Sequence, residues 1–180
     1  FGVRYGVNTA LFTSLRGILE PFNHNRKVIA FDTFEGFASV DHEKDGLEVK
    51  DGTFGVTANY ELYLEEILSI HEKLAPIENM KKFKLIKGDV IQTLPKFLSE
   101  NQETIISLAY FDFDIYKPTI SSLIAIEPFL SDGAILAFDE INTPGWPGES
   151  IALREWIGDR NMPILHSKFR SAAGYLVYKR

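Results

Sequence analysis

The chain has 180 residues, 45% of them hydrophobic and 24% charged, which allows one domain with a sizeable core and excludes wholesale disorder. Its 19 Lys and Arg against 25 Asp and Glu give a formal net charge of −6, a balance that speaks against nucleic acid or an anionic membrane as partner. The absence of Cys excludes a disulfide framework, a thiolate metal site and a cysteine nucleophile, and no apolar run approaches the ~20 residues of a membrane span; with no secretory signal, a cytoplasmic protein is expected.

In chain order, Phe1-Gly2-Val3 opens as if inside an element, and two glycines, Gly2 and Gly6, flank a first turn. Residues 9–19 set Leu11, Phe12, Leu15, Ile18 and Leu19 at helical spacing. Residues 27–31 form a short apolar run of strand type. The polar stretch 33–57 follows, with Gly36, Gly46, Gly52 and Gly55 and clustered charges at 41–45, and reads as a long active-site loop or lid. A helix over 58–74 carries Leu62, Ile67, Leu68 and Ile70. Strands are expected at 84–87, 104–111 and 133–138, with a helix over 119–130 after Lys117-Pro118. Continuous apolarity in these runs implies strands covered on both faces, and their alternation with helices implies a parallel sheet. Residues 163–168 and 174–179 are again strand-like. The five residues between them are too few for a helical crossover, so a mostly parallel α/β sheet should end in an antiparallel C-terminal hairpin.

Every internal strand is followed by an acid: Asp32, Gly88-Asp89, Asp112 with Asp114, and Asp139-Glu140. Ligands of open α/β sheets bind outside the carboxyl ends of the strands. One such acid alone is more often a helix cap or a turn residue. Four on one rim repel one another and call for a cation, a hydrogen-bonding polyol such as ribose, or altered protonation. The spacing of Gly2 and Gly6 lets a ligand approach backbone closely, but it is not the GxGxxG of dinucleotide binders. With no Gly-Lys-Ser/Thr motif either, NAD and ATP chemistry are disfavoured.

Five segments then carry a resemblance: Gly2-Val-x-x-Gly6, Phe31-Asp-Thr-Phe-Glu-Gly-Phe37, Lys87-Gly-Asp-Val-Ile-Gln-Thr-Leu-Pro95, Asp112-Phe-Asp-Ile-Tyr-Lys-Pro-Thr119 and Asp139-Glu140. In order and spacing they resemble the motifs of macrocin O-methyltransferase-type enzymes, class I S-adenosylmethionine (SAM) methyltransferases that methylate sugar hydroxyls of natural products. The resemblance implies a Rossmann-like SAM methyltransferase sandwich with an antiparallel last strand, a single domain over 1–180, and a first strand lying mostly before Phe1. It implies a small-molecule acceptor, free, nucleotide-linked or glycosidic, and a homo-oligomer without indicating an interface. Gly2 and Gly6 would border the methionine moiety of SAM, Asp32 would accept from the ribose hydroxyls and Asp89 would lie by the adenine, with Thr33, Phe34, Gly88, Val90 and Asp112 completing the cofactor site. Asp112, Asp139 and Glu140 would bind Mg²⁺, and Asp112 would also act as general base.

Two departures from the family pattern stand out. Its acidic pair is often Asp-Asp, whereas Glu140 has the longer arm, and the His that some relatives carry three residues after the metal-binding Asp is Ile115 here. Around the site, Tyr116 with Lys117 and Thr119 either orients substrate or opens the next helix. Trp146, in the Pro/Gly-rich segment 142–148, is either a sugar-stacking face or a buried anchor. His42 lies in the charged loop within reach of a substrate, although a solvated loop histidine is the commoner case. The alternatives to a Mg²⁺-dependent sugar O-methyltransferase are a metal-independent SAM methyltransferase and a non-catalytic domain of the same fold.

Overall fold

The computed structural model describes residues 1–180. It contains six strands, β1 (Val28–Asp32), β2 (Phe83–Lys87), β3 (Ile106–Phe111), β4 (Leu130–Phe138), β5 (Leu165–His166) and β6 (Gly174–Val177). β1 pairs in parallel with β2, and β3 with β4; β6 runs antiparallel to β4, and β5 antiparallel to β6. The two groups of strands meet at residues 1–2. The Gly2 N–H donates to the Phe31 carbonyl (3.1 Å) and the Asp112 N–H donates to the Phe1 carbonyl (2.9 Å). The spatial order is therefore β2, β1, residues 1–2, β3, β4, β6, β5, the mixed α/β sheet with antiparallel closure that the sequence implies.

Six helices accompany the sheet: α1 (Val7–Leu19), α2 (His42–Asp45), α3 (Tyr60–Lys73), α4 (Val90–Glu100), α5 (Tyr116–Ile126) and α6 (Gly148–Ile157). α1 packs on α3, while α4 and α6 both pack on α5. The main core joins Phe111 of β3, Leu136 and Phe138 of β4 and Leu176 of β6 to Leu94, Leu98, Leu123, Ile126 and Leu153 of the helices, with Phe111 and Phe138 stacked at 4.8 Å. A smaller cluster holds Phe34, Leu64, Leu68 and Phe83.

Several elements differ from the pattern expected of the sequence. α5 begins at Tyr116 and ends at Ile126, where a 3₁₀ turn (Glu127–Phe129) leads straight into β4. α4 has no counterpart among the expected helices. Pro95 argues against a helix there, yet Val90, Leu94 and Leu98 sit at i, i+4 and i+8 and are buried on one face. In α1 the helix forms where its period predicts, but the apolar residues are not the buried ones. Leu11, Leu15, Ile18 and Leu19 are exposed, and Thr9, Thr13 and Arg16 face inward.

The inward face of α1 carries a buried charge cluster instead. Arg16 of α1 donates to the Glu72 carboxylate of α3, and Lys82, just before β2, lies 2.9 Å from the same carboxylate and adds its backbone N–H at 3.1 Å. All three residues are at most 6% exposed. Removing one partner of such a cluster strands the others in a poor solvent. Glu72→Ala leaves two buried cations without a counter-charge and should cost about 3–5 kcal/mol of stability, read as a lowered urea midpoint.

Candidate active site

At the carboxyl ends of β1 to β4 lies a cavity of about 300 Å³. Gly2, Asp32, Thr33, Gly88, Asp89, Val90, Asp112, Asp139 and Glu140 line it, so nine of the residues singled out in the sequence meet in one place. Arg4, Phe37, Phe54 and Asp114 line it as well.

Two acids of the rim also hold backbone. Asp32 accepts from three N–H groups: Val3 and Arg4 (2.9 Å) on one oxygen and Phe34 (2.5 Å) on the other. It thereby ties the first turn to the end of β1. Asp89 caps α4 by accepting from the Ile91 N–H at 3.0 Å. Gly2 has φ 75°, and a Cβ there would sit 1.9 Å from the Asp112 carbonyl oxygen, so only glycine lets this turn pass against the end of β3.

Five expected site residues lie elsewhere. A Cβ on Gly6 would strike Leu64 at 2.2 Å, so this glycine serves the packing of α1 on α3 rather than the cavity. The Phe34 ring belongs to the small core, and only its backbone reaches Asp32. Tyr116 points away: its hydroxyl donates to Glu155, and the Lys44 ammonium sits 3.6 Å above its ring. His42 is exposed on α2. Trp146 stacks on Phe54 at 5.8 Å and meets Phe37 edge-on at 6.0 Å, so it backs an aromatic wall whose inner faces are Phe37 and Phe54.

The segment 33–57 folds back on itself over this wall. Phe37 and Thr53 exchange main-chain contact, with the Phe37 N–H donating to the Thr53 carbonyl at 2.9 Å and the Gly52 N–H to the Phe37 carbonyl at 2.9 Å. Asp45 of α2 is fully buried and accepts from the Tyr116 N–H at 2.6 Å, which pins the segment to the N-terminus of α5.

The electrostatics concentrate on the far wall. Asp112 accepts from Asn8 Nδ2 at 3.1 Å. Asp139 accepts from the Tyr110 hydroxyl (2.6 Å) and, through both oxygens, from the Arg170 guanidinium (2.6 and 2.9 Å), which also lies 3.7 Å from Glu140. Burial, reinforced by Asp139 and Asp114, pushes the Asp112 carboxyl up to about 7. Burial and then Glu140 and Asp139 push Asp114 to about 6, against the pull of Arg4 and Arg170. Burial raises the Glu149 carboxyl, fully enclosed on α6, against the pull of the Phe113 and Glu140 N–H groups that donate to it. The expected three-carboxylate metal set is not drawn together at ligating geometry, because Arg170 rather than a cation offsets Asp139 and Glu140.

Arg170, Asn8, Tyr110, Asp45 and Glu149 were not legible as site residues. Their positions depend on long-range approach of separate elements, and no local spacing marks them.

No family model and no curated relative matches the chain. Solved structures do. The calicheamicin methyltransferase CalS11 superposes with a TM-score of 0.92 at 41% identity, over 100% of this chain and 71% of that one. The chain belongs to the macrocin-type sugar O-methyltransferase family. It is accordingly a SAM-dependent O-methyltransferase. A second structure, described as CalS11, TDP-rhamnose 3′-O-methyltransferase of calicheamicin biosynthesis, gives 0.84 at 40% identity over 100% and 70% of the two chains. The O-methyltransferase NovP, at 18% identity and 0.69 over 99% and 70%, shares the fold. No helix is long and apolar enough to cross a membrane.

The raised pKa values make a prediction about stability in this methyltransferase. Asp112 and Asp114 hold protons in the folded chain that the unfolded chain releases near pH 4, so their contribution drains away as pH rises from about 4 to about 7. Thermal unfolding should give a lower Tm at pH 8.5 than at pH 5.5. Asp112→Asn removes one of the crowded charges and should raise the Tm at pH 8.5 by about 2–6 °C.

Proposed function

We propose that this enzyme methylates a hydroxyl of a nucleotide-linked deoxysugar, with SAM held between Asp32 and Asp89 and with Asp112 as general base. The observation that carries the reading is the meeting of Asp32, Asp89 and the Asp112, Asp139 and Glu140 carboxylates in one cavity of about 300 Å³. The CalS11 likeness supplies the acceptor class, since that relative is described as acting on TDP-rhamnose.

The residues suit the cofactor. The glycine-only passage at Gly2 brings backbone to the cavity wall, and Asp32 keeps lone pairs beyond its three backbone donors for ribose hydroxyls. The donor set is all carboxylate, the type a hard divalent cation takes, and Glu140 Oε2 is buried with no partner, but the Arg170 guanidinium must leave Asp139 before a cation can be held there. Asp112, Asp139 and Glu140 would hold that cation. When bound, SAM supplies an electrophilic methyl group, and the cation supplies Lewis acidity that lowers the pKa of a ligated hydroxyl.

The remaining chemistry falls to the chain. Asp112, whose carboxylate faces the cavity, takes the hydroxyl proton as the sugar oxygen attacks. Asn8 orients that carboxylate through its amide. Phe37 and Phe54, braced by Trp146, offer apolar faces to the sugar ring, and Arg4, stacked 4.5 Å over Phe54, offers a cation to a phosphate. Segment 33–57 acts as the lid over this wall, and residues 1–180 belong to one methyltransferase domain. A second, metal-independent reading is favoured by the bidentate Arg170–Asp139 pair, which offsets the acidic pair without a cation.

Methyl transfer from SAM to TDP-rhamnose, followed by mass spectrometry, tests the acceptor; no methylated product removes this reading. Chelation with EDTA should abolish turnover, and full activity after chelation moves the assignment to the metal-independent form. Asp112→Asn should lower kcat by about 10²–10⁴-fold while the Kd for S-adenosylhomocysteine stays within a few-fold, and a parallel loss of cofactor binding would make Asp112 a binding residue instead.

A further inference from the structure

Glu149 stands in the first turn of α6, outside every motif of the site, and it is completely enclosed. Its Oε1 accepts from the Phe113 N–H at 2.9 Å and the Asp114 N–H at 3.3 Å, and its Oε2 accepts from the Glu140 N–H at 3.3 Å. One side chain thus joins the turn after β3, which carries Asp112 and Asp114, to the turn after β4, which carries Asp139 and Glu140. The neighbouring Gly148 is what lets α6 come so close. A Cβ there would lie 2.4 Å from Asp45 Oδ1, 2.7 Å from the Tyr116 nitrogen and 2.8 Å from the Asp114 carbonyl oxygen.

The clamp acts on turns that need one. Asp114 has φ 61° and Asn142, two residues after Glu140, has φ 57°, left-handed conformations that non-glycine residues hold only when the surroundings impose them. The four cavity carboxylates repel one another, which drives the two turns apart. One carboxylate, with Oε1 on the first turn's N–H groups and Oε2 on the second's, opposes that separation without using a side chain of the cavity.

We infer that Glu149 is a positioning residue: through three main-chain N–H groups it fixes the separation of the Asp112–Asp114 and Asp139–Glu140 turns, and so the register of the general base with the reacting hydroxyl. This rests on the proposed role of Asp112. A carboxamide in place of the carboxylate keeps size and shape but turns an N–H₂ toward at least one backbone N–H, so one of the two turns is released.

Glu149→Gln and, as a control of matched instability, Leu98→Ala in the distant α4 core are compared with the wild-type chain. Hydrogen–deuterium exchange should rise about tenfold or more in peptides covering 112–116 and 139–142 of Glu149→Gln alone. With SAM and TDP-rhamnose, kcat should fall about 30- to 100-fold with KM for SAM within threefold, and Leu98→Ala should keep its kcat at temperatures where it is folded. Unchanged exchange in the two turns, a rise spread over the whole chain, or a kcat within threefold of wild type would each overturn the inference. If the wild-type chain fails to methylate TDP-rhamnose, it is the acceptor assignment that falls, and the exchange pattern alone decides for or against the clamp.

Discussion

Asp112, Asp114, Asp139 and Glu140 face one cavity from two turns, and their mutual repulsion is the constraint on which the rest of the site depends. Partial burial makes the repulsion strong, since little solvent screens it. The fold answers it in three ways. Arg170 neutralises Asp139 and approaches Glu140 from the β5–β6 connection, Asn8 and Tyr110 donate to individual oxygens, and Asp112 and Asp114 shift toward the protonated state near neutral pH. The last of these costs stability in alkali and is at the same time what suits a carboxyl for proton transfer. A well-packed apolar wall in the same place would be more stable and would have nothing with which to take a proton.

The helix-cap reading and the ligand reading of the strand-end acids turn out not to compete. Asp89 caps α4, and Asp32 satisfies three N–H groups of the turns around it, yet both carboxylates still line the cavity. An acid at a strand end can do both because a carboxylate has lone pairs in excess of what a turn supplies in donors. Asp45 and Glu149 show the same chemistry used from a distance. Each is a buried carboxylate brought in by another element to accept N–H groups of the single stretch 113–116. That stretch consequently carries segment 33–57, the β4 turn and the start of α5 on one set of main-chain donors.

The sequence by itself determined the parallel sheet with its antiparallel closure, because continuous apolar runs and a five-residue connection admit few other arrangements, and it determined the acids at the strand ends, because they follow directly from strand boundaries. It also marked Gly2, which only glycine's freedom explains. α4 stayed hidden behind Pro95. The inward face of α1 could not be read from the apolar pattern, since the Arg16–Glu72–Lys82 cluster on that face joins residues 56 and 10 positions apart. Only the tertiary structure decided that Gly6 and Phe34 serve packing, that Tyr116 and His42 face away from the cavity, and that Arg170 and Glu149 hold the acidic turns. Local spacing sets what a strand or turn can be. Which distant charge or N–H comes within 3 Å of it depends on how helices and connections pack across the sheet, and that is written in no single stretch of the chain.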